Sequence, residues 1–335
     1  MRKLFLLSTA GVVLMLFLVL QWAGIRDVAA AFLSINPLFI LLIVLMQFAM
    51  MLVYAMRYRL LLRSAGVNAG IRAVIVNAFF GAAMNNLTPV IRFGGEPFKG
   101  YMMAKDASVK KQLAFAAIAT DSFITGLSLL VLVYFGFVAL LVFNILNLYA
   151  VALILALMFV PVIAGVYLLY DKRALAAFSK RASGLIGRFS PKYGKQLPRI
   201  LLSFRSSMGL SMRRKDVLAA AFMLALVERF IEVLSMFVIF VSLGIKVDLY
   251  VSAMVLGVGM LAGLLPLLPG GLVAFESSTI LLLRLFNIRP ALAAISILLW
   301  RGVNYWMITV VGMAIGWYHG MGLNQKKGRG NPPDK

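Results

Sequence analysis

Two short stretches interrupt an otherwise apolar chain, and both carry groups that suit anion binding. The first is P-V-I-R-F-G-G-E-P-F-K-G-Y at 89–101, with Arg92, Gly94, Gly95 and Glu96 at its centre. Pro89, Gly94, Gly95, Pro97 and Gly100 cannot all sit within one regular helix. The pattern predicts an irregular turn and then a new helix with Pro97 in its first turn. A helix start offers free backbone N–H groups and a partial positive charge, and paired glycines let a head group approach the backbone closely. A guanidinium beside them can donate two hydrogen bonds to a phosphate. The second stretch, L-P-L-L-P-G-G-L-V-A-F-E at 265–276, repeats the theme with Gly270, Gly271 and Glu276.

Further ionisable residues interrupt long apolar runs: Asp121, Glu228, Arg229, Glu232 and Arg301. Charges at membrane depth cost about 2.5–3.5 kcal/mol each on insertion scales, which makes them functional candidates by default. Glu228 and Glu232 are one helical turn apart and share a face. Arg301 either neutralises one of them or forms a second phosphate site. Asp121 either bonds the broken backbone of the first stretch or takes part in proton or counter-ion chemistry with Glu228, Glu232 and Glu276. Arg229 is expected to point away from both neighbouring glutamates. Glu96 either caps the helix that follows it or contacts a ligand. Asn85, Asn86 and Thr88 are read as backbone partners, and Trp300 and Trp306 as packing or interfacial residues.

The elements that must position these groups are membrane helices. The 335 residues are 63% hydrophobic, with a mean hydropathy of +0.98, and several uncharged runs approach or exceed 20 residues. The net charge of +22 belongs to loops, where it orients the chain and meets anionic lipid, so nucleic acid is not expected as a partner. With no cysteine and one histidine, thiol catalysis, disulfides and a Cys- or His-cluster metal site are excluded. No cofactor or metal is expected.

The expected fold is all-α and polytopic: about six full transmembrane helices and two oppositely oriented re-entrant hairpins. Full spans are read at 4–23, 37–56, 112–143, 148–170, 217–243 and 290–318. The run 73–87 covers only about 22 Å at 1.5 Å per residue, short of the roughly 30 Å hydrocarbon core. It is therefore read as one limb of a hairpin that turns at 89–95 and leaves from Pro97. Residues 249–265 and 272–286 form the second hairpin. Most basic residues, Arg57, Arg59, Lys99 and Arg92 among them, then fall on the cytoplasmic side. Arg26, Lys246, Arg284 and Arg289 fall outside, and Arg229 and Arg301 within the membrane. Both termini are expected in the cytoplasm, across the cytoplasmic (inner) membrane. One membrane domain spans 1–322, with halves of about 1–170 and 216–322 joined by a basic loop at 171–215. Residues 174–189 of that loop read as an amphipathic helix on anionic lipid. Residues 323–335 read as a basic, disordered tail.

On R-F-G-G-E-P-F-K-G-Y (92–101) and L-P-G-G-L-V-A-F-E (268–276), the chain resembles the lysylphosphatidylglycerol synthase transmembrane region family, also called flippase-like domain proteins. The P-x-x-R-x-G-G-E pattern at 89–96 is the more specific of the two. The resemblance covers essentially the whole chain and implies lipid translocation. In multidomain members the domain flips aminoacylated phosphatidylglycerol made by an attached synthase domain. Stand-alone members are tied to polyprenyl-linked sugars, hopanoids or envelope glycolipids. No soluble synthase domain is read in this sequence, so aminoacyl transfer is not carried over.

Three functions compete. A lipid flippase would bind an anionic phospholipid or polyprenyl-phosphate-linked lipid through Arg92, Gly94, Gly95, Glu96, Gly270, Gly271 and Arg301. A membrane scaffold would serve a glycosyltransferase or lipid-modifying enzyme through the basic loop. A lipid enzyme is disfavoured for want of a nucleophile–base pair or an acidic metal cluster. The flippase reading leads, and the protein is expected not to be an enzyme.

Overall fold

The computed structural model describes residues 25–87, 95–142, 171–189, 214–263 and 273–328, with a few isolated positions that include Gly271. The expected spans at 4–23 and 148–170, both breaks except Gly95 and Gly271, and residues 329–335 lie outside the described residues. The described structure is helical throughout: α1 (Ile25–Leu33), α2 (Pro37–Ser64), α3 (Ile71–Leu87), α4 (Gly95–Asp106), α5 (Lys111–Val142), α6 (Lys172–Phe189), α7 (Lys215–Ser242), α8 (Leu249–Ala262), α9 (Ala274–Leu285), α10 (Pro290–Arg301), a π-helical turn (Gly302–Met307) and α11 (Ile308–Gly328). The last three form one continuous rod.

Local chemistry explains most of the boundaries. Asn36 caps α2 by accepting the Leu38 N–H at 2.9 Å, with Pro37 in the first turn. Helix α4 starts at the Gly95–Glu96 step with Pro97 in its first turn, as the Gly-Gly-Glu-Pro sequence predicts. Three helical stretches are long and apolar enough to cross a membrane: Pro37–Ser64, Lys111–Val138 and Pro290–His319. Helix α7 has the same length as α2, but Glu228, Arg229 and Glu232 interrupt its apolar surface. Helices α3 and α8 are apolar but shorter.

Three boundaries differ from the sequence reading. Helix α2 continues past residue 56 to Ser64, carrying Arg57 inside the protein. A short helix, α1, occupies residues expected to form an outer loop and packs on α10. Helix α11 runs to Gly328, into the stretch read as a disordered tail.

The packing repeats. Helix α3 packs on α4 across the first break, and α8 packs on α9 across the second. Helix α2 touches α3 and α5 just as α7 touches α8 and α10, and α4–α5 corresponds to α9–α10. Helix α5 crosses α8 as α11 crosses α3. The α2–α7 pair joins the halves and is antiparallel. Ile43, early in α2, shares a core with Val233, Met236 and Phe240, late in α7. Leu61 and Leu62 share the other core with Val217 and Ala221, early in α7. Two halves whose equivalent helices run antiparallel have inverted topologies, the arrangement of inverted-repeat transporters.

Candidate functional site

The first break leads into a chain of buried charges. Asn85, near the end of α3, reaches across to α4. Its Oδ1 accepts the Gly95 N–H at 2.7 Å, and its Nδ2 donates to Glu96 Oε1 at 3.2 Å. A Cβ at Gly95 would fall on that same Asn85 oxygen, so the close approach of the limbs requires glycine here. Glu96 Oε2 lies 3.1 Å from Lys99 Nζ, one turn further along α4. Lys99 Nζ donates to Tyr54 Oη at 2.5 Å and stands 3.4 Å from Asp121 Oδ2. The rings of Tyr54 and Tyr58 face the ammonium at 5.2 and 4.9 Å. The Lys99 carbonyl accepts a hydrogen bond from buried Asn77.

Asp121 passes the chain to Arg57, whose Nη1 is 2.9 Å from Asp121 Oδ1. Arg57 also donates to Glu228 through Nε at 2.8 Å and Nη2 at 3.2 Å, to Thr125 Oγ1 at 3.0 Å and to the Asp121 carbonyl at 3.3 Å. Helices α2, α4, α5 and α7 thus meet on three carboxylates and two cations. The side chains of Arg57, Lys99, Asp121 and Glu228 are all 5% exposed or less, whereas Glu96 is 18% exposed. Glu96 is therefore the end of the chain that the surroundings reach.

The second break has a simpler counterpart. Arg301, the last residue of α10, places Nε 2.5 Å from Glu276 Oε1 in the first turn of α9. Its Nη2 donates to the Gly271 carbonyl at 3.3 Å. Phe275, Trp300 and Tyr305 surround the guanidinium, at 4.3, 5.9 and 5.3 Å from their ring centres. Phe275 and Trp300 stack on each other at 4.9 Å. Gly271 has a φ of +70°, and a Cβ there would meet Gly263 Cα at 2.6 Å, so backbone packs directly on backbone. Arg301 is followed at once by the π-helical turn, a distortion that recurs at functional sites.

Under the exchange of halves, Glu96 and Glu276 stand in the first turns of equivalent helices. Asp121 and Arg301 lie at similar depths on α5 and α10. The structure therefore sorts the candidates into two groups. Glu96, Asp121 and Glu228 come together around Arg57 and Lys99. Glu276, Gly271 and Arg301 come together at the second break. Arg301 takes Glu276 as its partner, and not Glu228 or Glu232, because α10 packs on α9. Among the described residues, Asp121 pairs with the side-chain cations of Arg57 and Lys99. Glu232 is bound by Arg229 at 2.6 Å, contrary to the expectation that Arg229 points away; residues three apart on a helix are neighbours. Arg92, Gly94 and Gly270 lie outside the described residues.

Two central residues, Arg57 and Lys99, were assigned by the charge rule to the cytoplasmic side. Both are buried because carboxylates from other helices compensate them. The signals were present: the apolar run continues past Arg57 through Leu60, Leu61 and Leu62, and Lys99 stands one turn from Glu96. A further polar contact ties α4 to α11, with His319 Nε2 3.0 Å from Asp106 Oδ2.

The geometry sets three carboxylates and two cations from four helices within ion-pair distance of one another. Comparison with known proteins agrees with a membrane role. The family model described as "Lysylphosphatidylglycerol synthase TM region" matches residues 5–312. A UPF0104 membrane protein of Methanothermobacter thermautotrophicus is 26% identical, covering 96% of this chain and 97% of its own length. UPF0104 membrane proteins of Methanocaldococcus jannaschii and Pyrococcus horikoshii are 25% and 26% identical, covering 94% and 92% of this chain and 95% of each relative. The family match spans both breaks and both ion-pair groups, and on it the chain belongs to the lysylphosphatidylglycerol synthase TM region family.

Proposed function

We propose that this protein moves the head group of an anionic lipid, a phospholipid or a polyprenyl-phosphate-linked lipid, across the cytoplasmic membrane while the hydrocarbon chains stay in the bilayer. The observation that carries this reading is the buried chain from Glu96 through Lys99 and Asp121 to Arg57 and Glu228. Ionisable groups at membrane depth are costly and mark ion and substrate paths. A phosphate arriving at the first break meets Arg92 and the start of α4, beside the exposed end of this chain. It competes with Glu96 for Lys99, and the freed carboxylate takes a proton or another cation. The inverted halves supply the second state: the two hairpins enter from opposite faces, and one opens as the other closes. On this reading both termini are cytoplasmic, and the protein is a carrier and not an enzyme, since its polar groups hold one another.

The test is translocation in proteoliposomes. Labelled phosphatidylglycerol, its lysyl derivative, a zwitterionic control and a short polyprenyl phosphate are each assayed. Protein-dependent movement of one anionic class is expected, and Arg92→Ala and Glu96→Gln are expected to abolish it in folded protein. Wild-type rates in both variants would remove those residues from the mechanism. No movement of any lipid would favour a scaffold for a glycosyltransferase or lipid-modifying enzyme. Basic α6, with Lys172, Arg173, Lys180 and Arg181 exposed, would then be the docking surface.

A further inference from the structure

A cleft of about 600 Å³ opens on the lateral face between α5, α7 and α8. That size lies within the roughly 300–1,000 Å³ range of small-molecule sites. One wall is a stripe along α5: Ser128, Val131, Phe135, Val138 and Val142. It spans about 21 Å at 1.5 Å per residue, more than the roughly 15 Å of one leaflet's hydrocarbon. Phe135 and Phe230 at its rim are exposed, so the mouth faces the bilayer. One end of the cleft lies at Val142 and Leu249, at helix ends. The other lies at Ser128, Leu226 and Arg229, in the middle of α5 and α7.

Among the described residues of the lining, Arg229 is the charged one. Its Nη1 holds Glu232 and touches Met260 Sδ at 3.5 Å, while its buried Nε–H has no acceptor among the described residues. In the other half, polar bonds join the π-helical turn and α11 to α2 and α3. Asn304 donates to Gln47 at 3.2 Å, and Asn86 donates to Thr309 at 3.0 Å and to the Tyr305 carbonyl at 3.2 Å.

We propose that the cleft binds an anionic lipid part-way through the membrane, with its hydrocarbon chain along the α5 stripe and its phosphate at Arg229. The length of the stripe fits a chain lying parallel to the helices. The phosphate supplies the acceptor that Arg229 Nε lacks and displaces Glu232 from Nη1. Arg229 follows Glu228 directly, so the bound phosphate sits one residue from the buried network. Only the placement on the transport route rests on the reading above; the binding site stands on the cleft itself.

Photo-crosslinking in nanodiscs tests it. The probes are a phosphatidylglycerol and a phosphatidylcholine, each with a diazirine in the chain, and labelled peptides are located by mass spectrometry. Saturable labelling of Val131 to Val138 by the phosphatidylglycerol probe, competed by unlabelled phosphatidylglycerol, is expected. Ala253→Trp, which fills the cleft, should reduce labelling to the level of bulk lipid. Val138→Trp does the same from the opposite wall if the first variant fails to fold. Arg229→Gln should abolish the preference for phosphatidylglycerol over phosphatidylcholine. Labelling that rises in proportion to lipid content, or equal labelling by both probes in the wild type, overturns the proposal. If the filled variants lose labelling yet translocate at the wild-type rate, the placement on the route is refuted. If the wild type shows saturable labelling but no translocation, the transport reading fails and the cleft stands.

Discussion

Replacing Arg57 with Met keeps an unbranched apolar stem and removes the guanidinium with its charge. In the native protein Arg57 holds Asp121 and Glu228 by ion pairs at 2.9 and 2.8 Å and donates to Thr125 and to the Asp121 carbonyl. The variant leaves Glu228 without its cation, and Asp121 keeps only the longer contact to Lys99. Breaking one side of a buried pair costs about 3–5 kcal/mol, far above the 0–1 kcal/mol of an exposed pair. The loss comes from uncompensated buried charge more than from lost contact. Neutralising the stranded partner in Arg57→Met/Glu228→Gln should therefore recover a substantial part of it. Reversible unfolding in mixed micelles, run as a double-mutant cycle with Glu228→Gln alone, measures both quantities. A cost below about 1 kcal/mol for Arg57→Met, or strictly additive variants, would refute the buried network.

Three further outcomes follow from the packing. Gly312 lets α11 pack directly on α3, where a Cβ would collide with the Phe79 carbonyl oxygen and the Ala83 side chain; Gly312→Leu should therefore destabilise the protein by about 1–3 kcal/mol, and wild-type stability in the unfolding assay would contradict the α3–α11 crossing. Single cysteines at Ser108 and Val247 should react with an impermeant maleimide from opposite faces of sealed vesicles, and same-face labelling would reject the opposed hairpins. Trp300→Ala empties the stack against Phe275 and should destabilise the protein by about 3–5 kcal/mol, read by the same unfolding assay; a cost under about 1 kcal/mol would mean that the aromatic cage around Arg301 is not packed as described.

Much of this architecture could be read in the chain itself. Hydropathy located α3, α5, α7, α8 and α9 to within a few residues, though it missed α1 and stopped α2 and α11 short, and the two Gly-Gly breaks marked where helices end and restart, because backbone geometry is a local property. The amphipathic α6 was legible for the same reason. The pairing of charges was not. The positive-inside rule assigns an arginine at the end of an apolar run to the loop, and Arg57 satisfied that pattern until the packing of α5 and α7 supplied Asp121 and Glu228. The partner of Arg301 depends on which helix α10 lies against, which periodicity does not specify. Arg229 with Glu232 was the exception: an i, i+3 pair needs no tertiary knowledge, and attention to the two glutamates alone obscured it.

The matched packing of the two halves is not accompanied by matched charge. Among the described residues, one hairpin adjoins three carboxylates and two cations, while its counterpart adjoins the Glu276–Arg301 pair. Two conformations related by an exact exchange of halves would have equal free energy and equal occupancy. On the proposed alternating mechanism, unequal wiring removes that degeneracy and gives the two states of the empty protein unequal occupancy. A ligand inverts that bias only by as much as it prefers the other state. On that mechanism the asymmetry gives the repeat a default conformation, set by its buried charges, that the symmetry of the backbone alone would not provide.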